Sequence, residues 1–234
     1  MKIKLLLILL CMFVLVSSPL LAMDVSLGAA TWYSWWEMSM KTDGVEEDSD
    51  VDPTILYGPV LSVSFSSKWT LSSIFLYGQF TMHHDQGDEE TIKRFDSDTS
   101  INYNLNNYIK LFGGAKIMGY KFPGGKNQSI GPAAGIGMTL PVFGNFYLLG
   151  NISGMYNYGH EESEDRDSAD QQEVIFNAPG INSTLAIAYY IDKASTTVSL
   201  GGRYQYFKIN YESGSTTESD LSFYGLTLSL IYSF

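Results

Sequence analysis

The sequence predicts an all-β fold: a closed antiparallel transmembrane β-barrel of ten strands, with short turns at one end and long loops at the other. Three observations lead there. From about residue 24 to the C-terminus, apolar residues alternate with small or polar ones at a period of two, which puts each set on one face of a strand. The chain is 45% hydrophobic and only 17% charged, yet after its first 22 residues it has no apolar run long enough for a spanning helix, so its apolarity must be spread over strands. Short and long connections also alternate strictly between the periodic segments.

Residues 1–22 read as a secretory signal peptide. Lys2 and Lys4 precede an apolar run from Leu5 to Val16, and Ser17, Ser18, Pro19 and Ala22 close it. The run is short for an anchor helix, since spanning takes about 20 apolar residues. Cys11, the single cysteine, lies inside this segment, so residues 23–234, the barrel domain, hold neither a disulfide nor a thiolate metal site. Ile8-Leu9-Leu10 puts no small residue before Cys11, against a lipoprotein reading.

The strands follow in order. The first, near 24–36, sets Val25, Leu27, Ala29 and Tyr33 outward; the second, near 54–66, does so with Ile55, Tyr57, Leu61, Val63 and Phe65. In the third, near 69–82, Trp69, Leu71, Phe75 and Tyr77 compete with Ile74, Leu76 and Phe80 for the lipid side. Pairing Val63 with Leu71 across the 66–68 turn favours the first set. Segments near 95–104 and 108–120 join through 105–107, those near 129–142 and 146–158 through 143–145, and those near 181–191 and 195–210 through 192–194. In the last, 221–234, Tyr224, Leu226, Leu228, Leu230, Tyr232 and Phe234 share one face. A soluble sandwich would turn a polar face outward; here the greasy face exceeds what a second sheet could cover. In hydrocarbon no sheet edge is tolerated, so the last strand is expected to pair with the first. An even strand number places both termini on the periplasmic side.

The segment from Tyr224 to Phe234 resembles the C-terminal strand signature of bacterial outer-membrane barrels, with a terminal aromatic, a second two residues earlier and alternating apolar residues between. The resemblance implies location in the outer membrane of a Gram-negative cell. It also implies Tyr232 and Phe234 as the signal read by the barrel-assembly machinery, and contact with outer-membrane lipid and lipopolysaccharide. The stretch from Phe95 to Lys116 looks like a hairpin found in other barrels of this class. Ten strands invite comparison with the omptin proteases, whose activity uses paired aspartates and an Asp-His couple at the extracellular rim; no segment here aligns to those motifs.

Acidic residues crowd the long connections, and the net charge of −11 becomes mostly a negative outer rim. Glu161, Glu162, Glu164, Asp165 and Asp167 form the densest block. It reads either as a solvated loop or as an oxygen-rich site for divalent cations bridging to lipopolysaccharide phosphates. Clustered Lys and Arg of the kind nucleic acid requires are absent. Inward parity gathers Asp96, Asp98, Asn102, Lys110, Lys116, Arg203 and Gln205 as a lumen polar network. The 105–107 turn sets Asp96 opposite Lys116 and Asn102 opposite Lys110. Such groups are tolerated inside only when paired or wetted. Ten strands lie nearer the side-chain-filled barrels than the open porins.

Two girdles are expected: Trp35, Trp36, Tyr204 and Tyr206 on the loop side, and Phe65, Trp69, Phe146, Tyr232 and Phe234 on the turn side. His83, His84, Asp85 and His160 approach the outer rim, but no nucleophile or phosphate-loop motif accompanies them. The expectation is a structural or surface-interaction barrel with an acidic extracellular face, without enzyme activity, catalytic residues, metal or cofactor. A narrow, porin-like channel for small solutes is the alternative, and an omptin-like rim hydrolase the third reading.

Overall fold

In the computed structural model, residues 23–42, 45–83, 89–164, 171–212 and 218–234 are described; within them, the side chains of 42, 45–50, 163–164, 171–173 and 218 are left aside. The predicted leader, residues 1–22, lies outside. The elements are β1 (Asp24–Thr42), β2 (Val45–Val51), β3 (Thr54–Ser64), β4 (Trp69–His83), β5 (Glu89–Asn104), β6 (Ile109–Phe122), β7 (Gly125–Phe143), β8 (Phe146–Glu164), β9 (Gln171–Ile191), β10 (Thr196–Tyr211) and β11 (Glu218–Ser233). All pairings are antiparallel. Both β2 and β3 pair with β1 on one side and with β4 on the other, so the two segments form a single stave and the barrel has ten. It closes between β1 and β11, from Ser26↔Ser233 to Lys41↔Glu218. Phe234 N donates to Val25 O at 2.9 Å and completes the seam.

The expected outer face is the observed one. Leu27, Ile55, Leu61, Leu111, Ile136, Ile152, Leu185, Leu200, Leu228 and Leu230 are all exposed. In β4 the ambiguity resolves as the turn suggested: Val63 pairs with Leu71, Trp69 and Phe75 face outward, and Leu76 and Phe80 are buried. Backbone polar groups are spent on the ladder, the requirement for crossing hydrocarbon. The outward polar pair Ser73 and Thr99 satisfies itself at 2.8 Å.

Local chemistry sets the turns. Ser66 Oγ accepts from Trp69 N at 3.1 Å. Asn106 Oδ1 accepts from Tyr108 N at 2.8 Å and Ile109 N at 2.9 Å, a side-chain substitute for a backbone turn bond. Gly144, at φ 50°, takes the left-handed conformation in the 143–146 turn.

On the loop side the strands run further than the sequence period indicates, to Thr42 in β1, back to Glu89 in β5 and back to Gln171 in β9. Past the lipid belt the outward face turns polar and the alternation fades, while hairpin pairing continues into solvent.

Candidate functional site

Inward parity and register bring three strands' charges to one level, midway along β5, β6 and β10. Asp96 is fully buried. Its carboxylate accepts from Arg94 Nη2 at 2.8 Å and from Lys116 Nζ at 2.5 Å, and Arg203 Nη2 approaches at 3.4 Å. Asp98 lies 3.2 Å from Lys116 Nζ and 2.5 Å from Arg203 Nη2. Gln205 Oε1 accepts from Arg94 Nη2 at 2.9 Å, and Asn182 Oδ1 accepts from Arg203 Nε at 3.2 Å. Three cations thus face two carboxylates.

Aromatic faces offset the excess. The Arg94 guanidinium sits 3.5 Å from the Phe223 ring centre and 5.3 and 5.6 Å from those of Trp32 and Tyr120; Arg203 lies 4.7 Å from Trp32. Desolvated cation–π contacts of this kind contribute about 2 kcal/mol each.

The register differs from that expected. Asp98, not Asp96, stands opposite Lys116, and Asn104, not Asn102, opposite Lys110. Between the first paired residues, Asn104 and Lys110, lie 105–109, two more than 105–107, with Asn106 organising the turn. A two-residue slip preserves the face, so Lys116 still reaches Asp96 diagonally.

Above the charges, toward the loops, the interior is apolar. Trp36 packs 5.2 Å from Phe80, 5.1 Å from Tyr120 and 5.3 Å from Phe223. Leu56, Leu76, Phe176, Phe207, Ile209 and Leu221 complete this core. Trp36 therefore corrects the girdle: it points inward, while Trp35 stacks outside on Tyr224 at 5.8 Å. The girdle expectation missed it by judging height along the strand and not parity.

Below the charges, toward the turns, the lumen is lined by small and polar side chains around a cavity of about 460 Å3, bounded by Asn102, Lys110, Phe112, Asn151, Thr184 and Arg203 among others. Asn102 donates to Ser72 Oγ at 2.9 Å and to Thr70 O at 3.2 Å, apart from the charged cluster. Lys110 likewise stands apart, with no carboxylate within ion-pair distance among the described residues. Of the seven expected lumen residues, Asp96, Asp98, Lys116, Arg203 and Gln205 meet; Asn102 and Lys110 line the cavity. Arg94 was missed because the sequence period starts that strand at 95, yet its even number gives it the parity of Asp96.

At the rim, Glu161 Oε2 accepts from Asn127 Nδ2 at 3.2 Å, and Glu162 pairs with Lys126 at 3.0 Å and His160 at 3.5 Å. The Glu164 side chain, Asp165, Asp167, His84 and Asp85 lie outside the described residues. Among the described residues no His/Cys/Asp/Glu group is placed to hold a metal ion. His83 Nε2 lies 3.0 Å from Asp52 Oδ2. Tyr232 and Phe234 are exposed, with their rings in edge contact at 4.8 Å.

Neither a protein-family profile nor a curated protein matches the chain. Among solved structures, the outer membrane protease OmpT from Escherichia coli superposes with a TM-score of 0.59 at 10% identity, over 93% of this chain and 100% of that one. The outer membrane protein AlkL follows at 0.48 and 11% identity (93% and 93% covered), and OprG from Pseudomonas aeruginosa at 0.38 and 15% (90% and 95% covered). The fold is that of a bacterial outer-membrane β-barrel. At these identities the likeness concerns architecture alone.

Proposed function

We propose that this chain is an integral outer-membrane barrel with a sealed lumen, serving a structural or surface-interaction role rather than passing solutes. One observation carries the reading: Arg94, Asp96 and Lys116 are wholly buried across the middle of the lumen, with the Trp36 aromatic core closing it above. A water-filled route would leave such charges hydrated. Outer-membrane residence is supported by the apolar outer belt and the leader-like N-terminus, and the acidic outer face by the loop composition. Tyr232 and Phe234 are assigned to recognition by the assembly machinery.

The alternative, a narrow channel, draws on the turn-side cavity, which already reaches Arg203. Purified protein in planar bilayers is expected to give no steady conductance; stable single-channel steps altered by Lys116→Ala or Arg203→Ala would establish the channel instead. The barrel is also taken to be non-enzymatic and cofactor-free. Peptide or lipid cleavage that disappears in His83→Ala, His84→Ala or His160→Ala would make it a rim hydrolase.

A further inference from the structure

The register sets three lysines side by side on the outer surface. Lys93 of β5 pairs directly with Lys121 of β6, and Lys121 with Lys126 of β7. All three share the outward parity of Phe95, Ile117 and Ile130. Directly opposed like charges weaken a sheet, and here the juxtaposition occurs twice in succession. Lys126 is paired with Glu162 at 3.0 Å; Lys93 and Lys121 have no carboxylate partner among the described residues.

Height identifies what lies beside the row. On β6 the outward positions from Ile109 to Gly119 are apolar or small, and Lys121 is the next. Ten residue steps at the usual tilt rise about 25 Å, the thickness of the apolar band. The lysines therefore stand at the loop-side edge of the hydrocarbon, level with the headgroups of the outer leaflet. Beneath them the surface is apolar, with Ile117 and Ile130 paired and exposed on it. Phe95 lies flat over Gly119, where a Cβ would come within 2.4 Å of its ring, and Thr99, Gly113, Ala115 and Ala134 add little relief.

We propose that Lys93, Lys121 and Lys126 bind the phosphate groups of an outer-leaflet lipid headgroup, whose acyl chains descend over the apolar surface of β5, β6 and β7. Opposed strands lie about 5 Å apart, so the row spans about 10 Å and three flexible ammonium groups converge on one headgroup. The bound anion removes the mutual repulsion of the lysines. The proposal rests on the outer-membrane reading.

The test uses the mature chain refolded into phosphatidylcholine vesicles, moved to a neutral detergent and mixed with lipid A, with retained lipid read by native mass spectrometry. The wild type is expected to retain lipid A in preference to phosphatidylcholine, less so as salt is raised, and millimolar inorganic phosphate is not expected to displace it. Lys93→Gln, Lys121→Gln and Lys126→Gln combined should weaken retention on the order of a hundredfold, at about fivefold per lysine near a membrane surface. The triple Lys→Arg variant should restore it, and Lys68→Gln, at a periplasmic turn, should leave it unchanged. Equal retention by wild type and the Gln variant, or displacement by inorganic phosphate, overturns the proposal while leaving the barrel intact. Failure to fold in vesicles overturns both.

Discussion

The two halves of the lumen are built on opposite terms. Toward the loops, Trp32, Trp36, Phe80, Phe207 and Phe223 fill the interior as they would a soluble core. Toward the turns the same inward parity carries Ser72, Asn151, Ser153, Thr184 and Ser229 around an open cavity. The charged layer of Arg94, Asp96, Lys116 and Arg203 lies at the boundary, where its carboxylates join strands β5, β6 and β10. The contrast teaches that stability within the barrel is concentrated at and above that layer, while the turn side is free to hold water.

The sharpest way to break this comparison is Asp96→Ala. It takes from Arg94 its carboxylate and leaves Asp98 alone to face Lys116 and Arg203, and is expected to cost about 3–5 kcal/mol, the penalty for removing one partner of a buried charge cluster, measured by urea unfolding in vesicles. Phe223→Ala removes a ring shared by Trp36, Tyr120 and Arg94 and should cost about 3 kcal/mol or more in the same assay. On the outer face, Leu228→Arg near the middle of β11 is expected to cost about 2–4 kcal/mol in bilayers. A penalty near zero there would mean that something other than lipid covers the belt. At the bottom of the scale, Asn151→Ala, facing the cavity, should change stability by no more than about 0.5 kcal/mol. A loss rivalling that of Phe223→Ala would erase the distinction between the halves.

Much of this was readable from the chain. Period-two alternation located the lipid face on every stave, even β4, because each outward residue answers to the same solvent. Asp96, Asp98, Lys116, Arg203 and Gln205 were legible as a network for the same reason: parity survives a two-residue slip. What parity cannot supply is register, and register decided the rest. Asn106 lengthens one turn and shifts Lys116 from Asp96 to Asp98 as its direct partner. The same shift aligns Lys93 with Lys121, and the tight 123–124 turn then sets Lys121 beside Lys126, residues with no local signal in common. The apolar upper core left a trace in the competing residues Ile74, Leu76 and Phe80 of β4. Inward-facing Trp32, Phe207 and Phe223 repeat it. It was hidden because strands outside the belt lose the contrast between faces.

The central claim is that the lumen is closed from the loop side and open from the turn side. Cys11 lies in the leader-like segment, so residues 23–234 offer a cysteine-free background for labelling. The decisive measurement is labelling of Thr184→Cys, in the cavity wall, by a membrane-impermeant maleimide added to one face of oriented vesicles at a time. Reaction from the turn side with none from the loop side is the expected result. Rapid reaction from the loop side would mean that water passes the Arg94 and Trp36 layers, and the sealed-barrel account would be wrong.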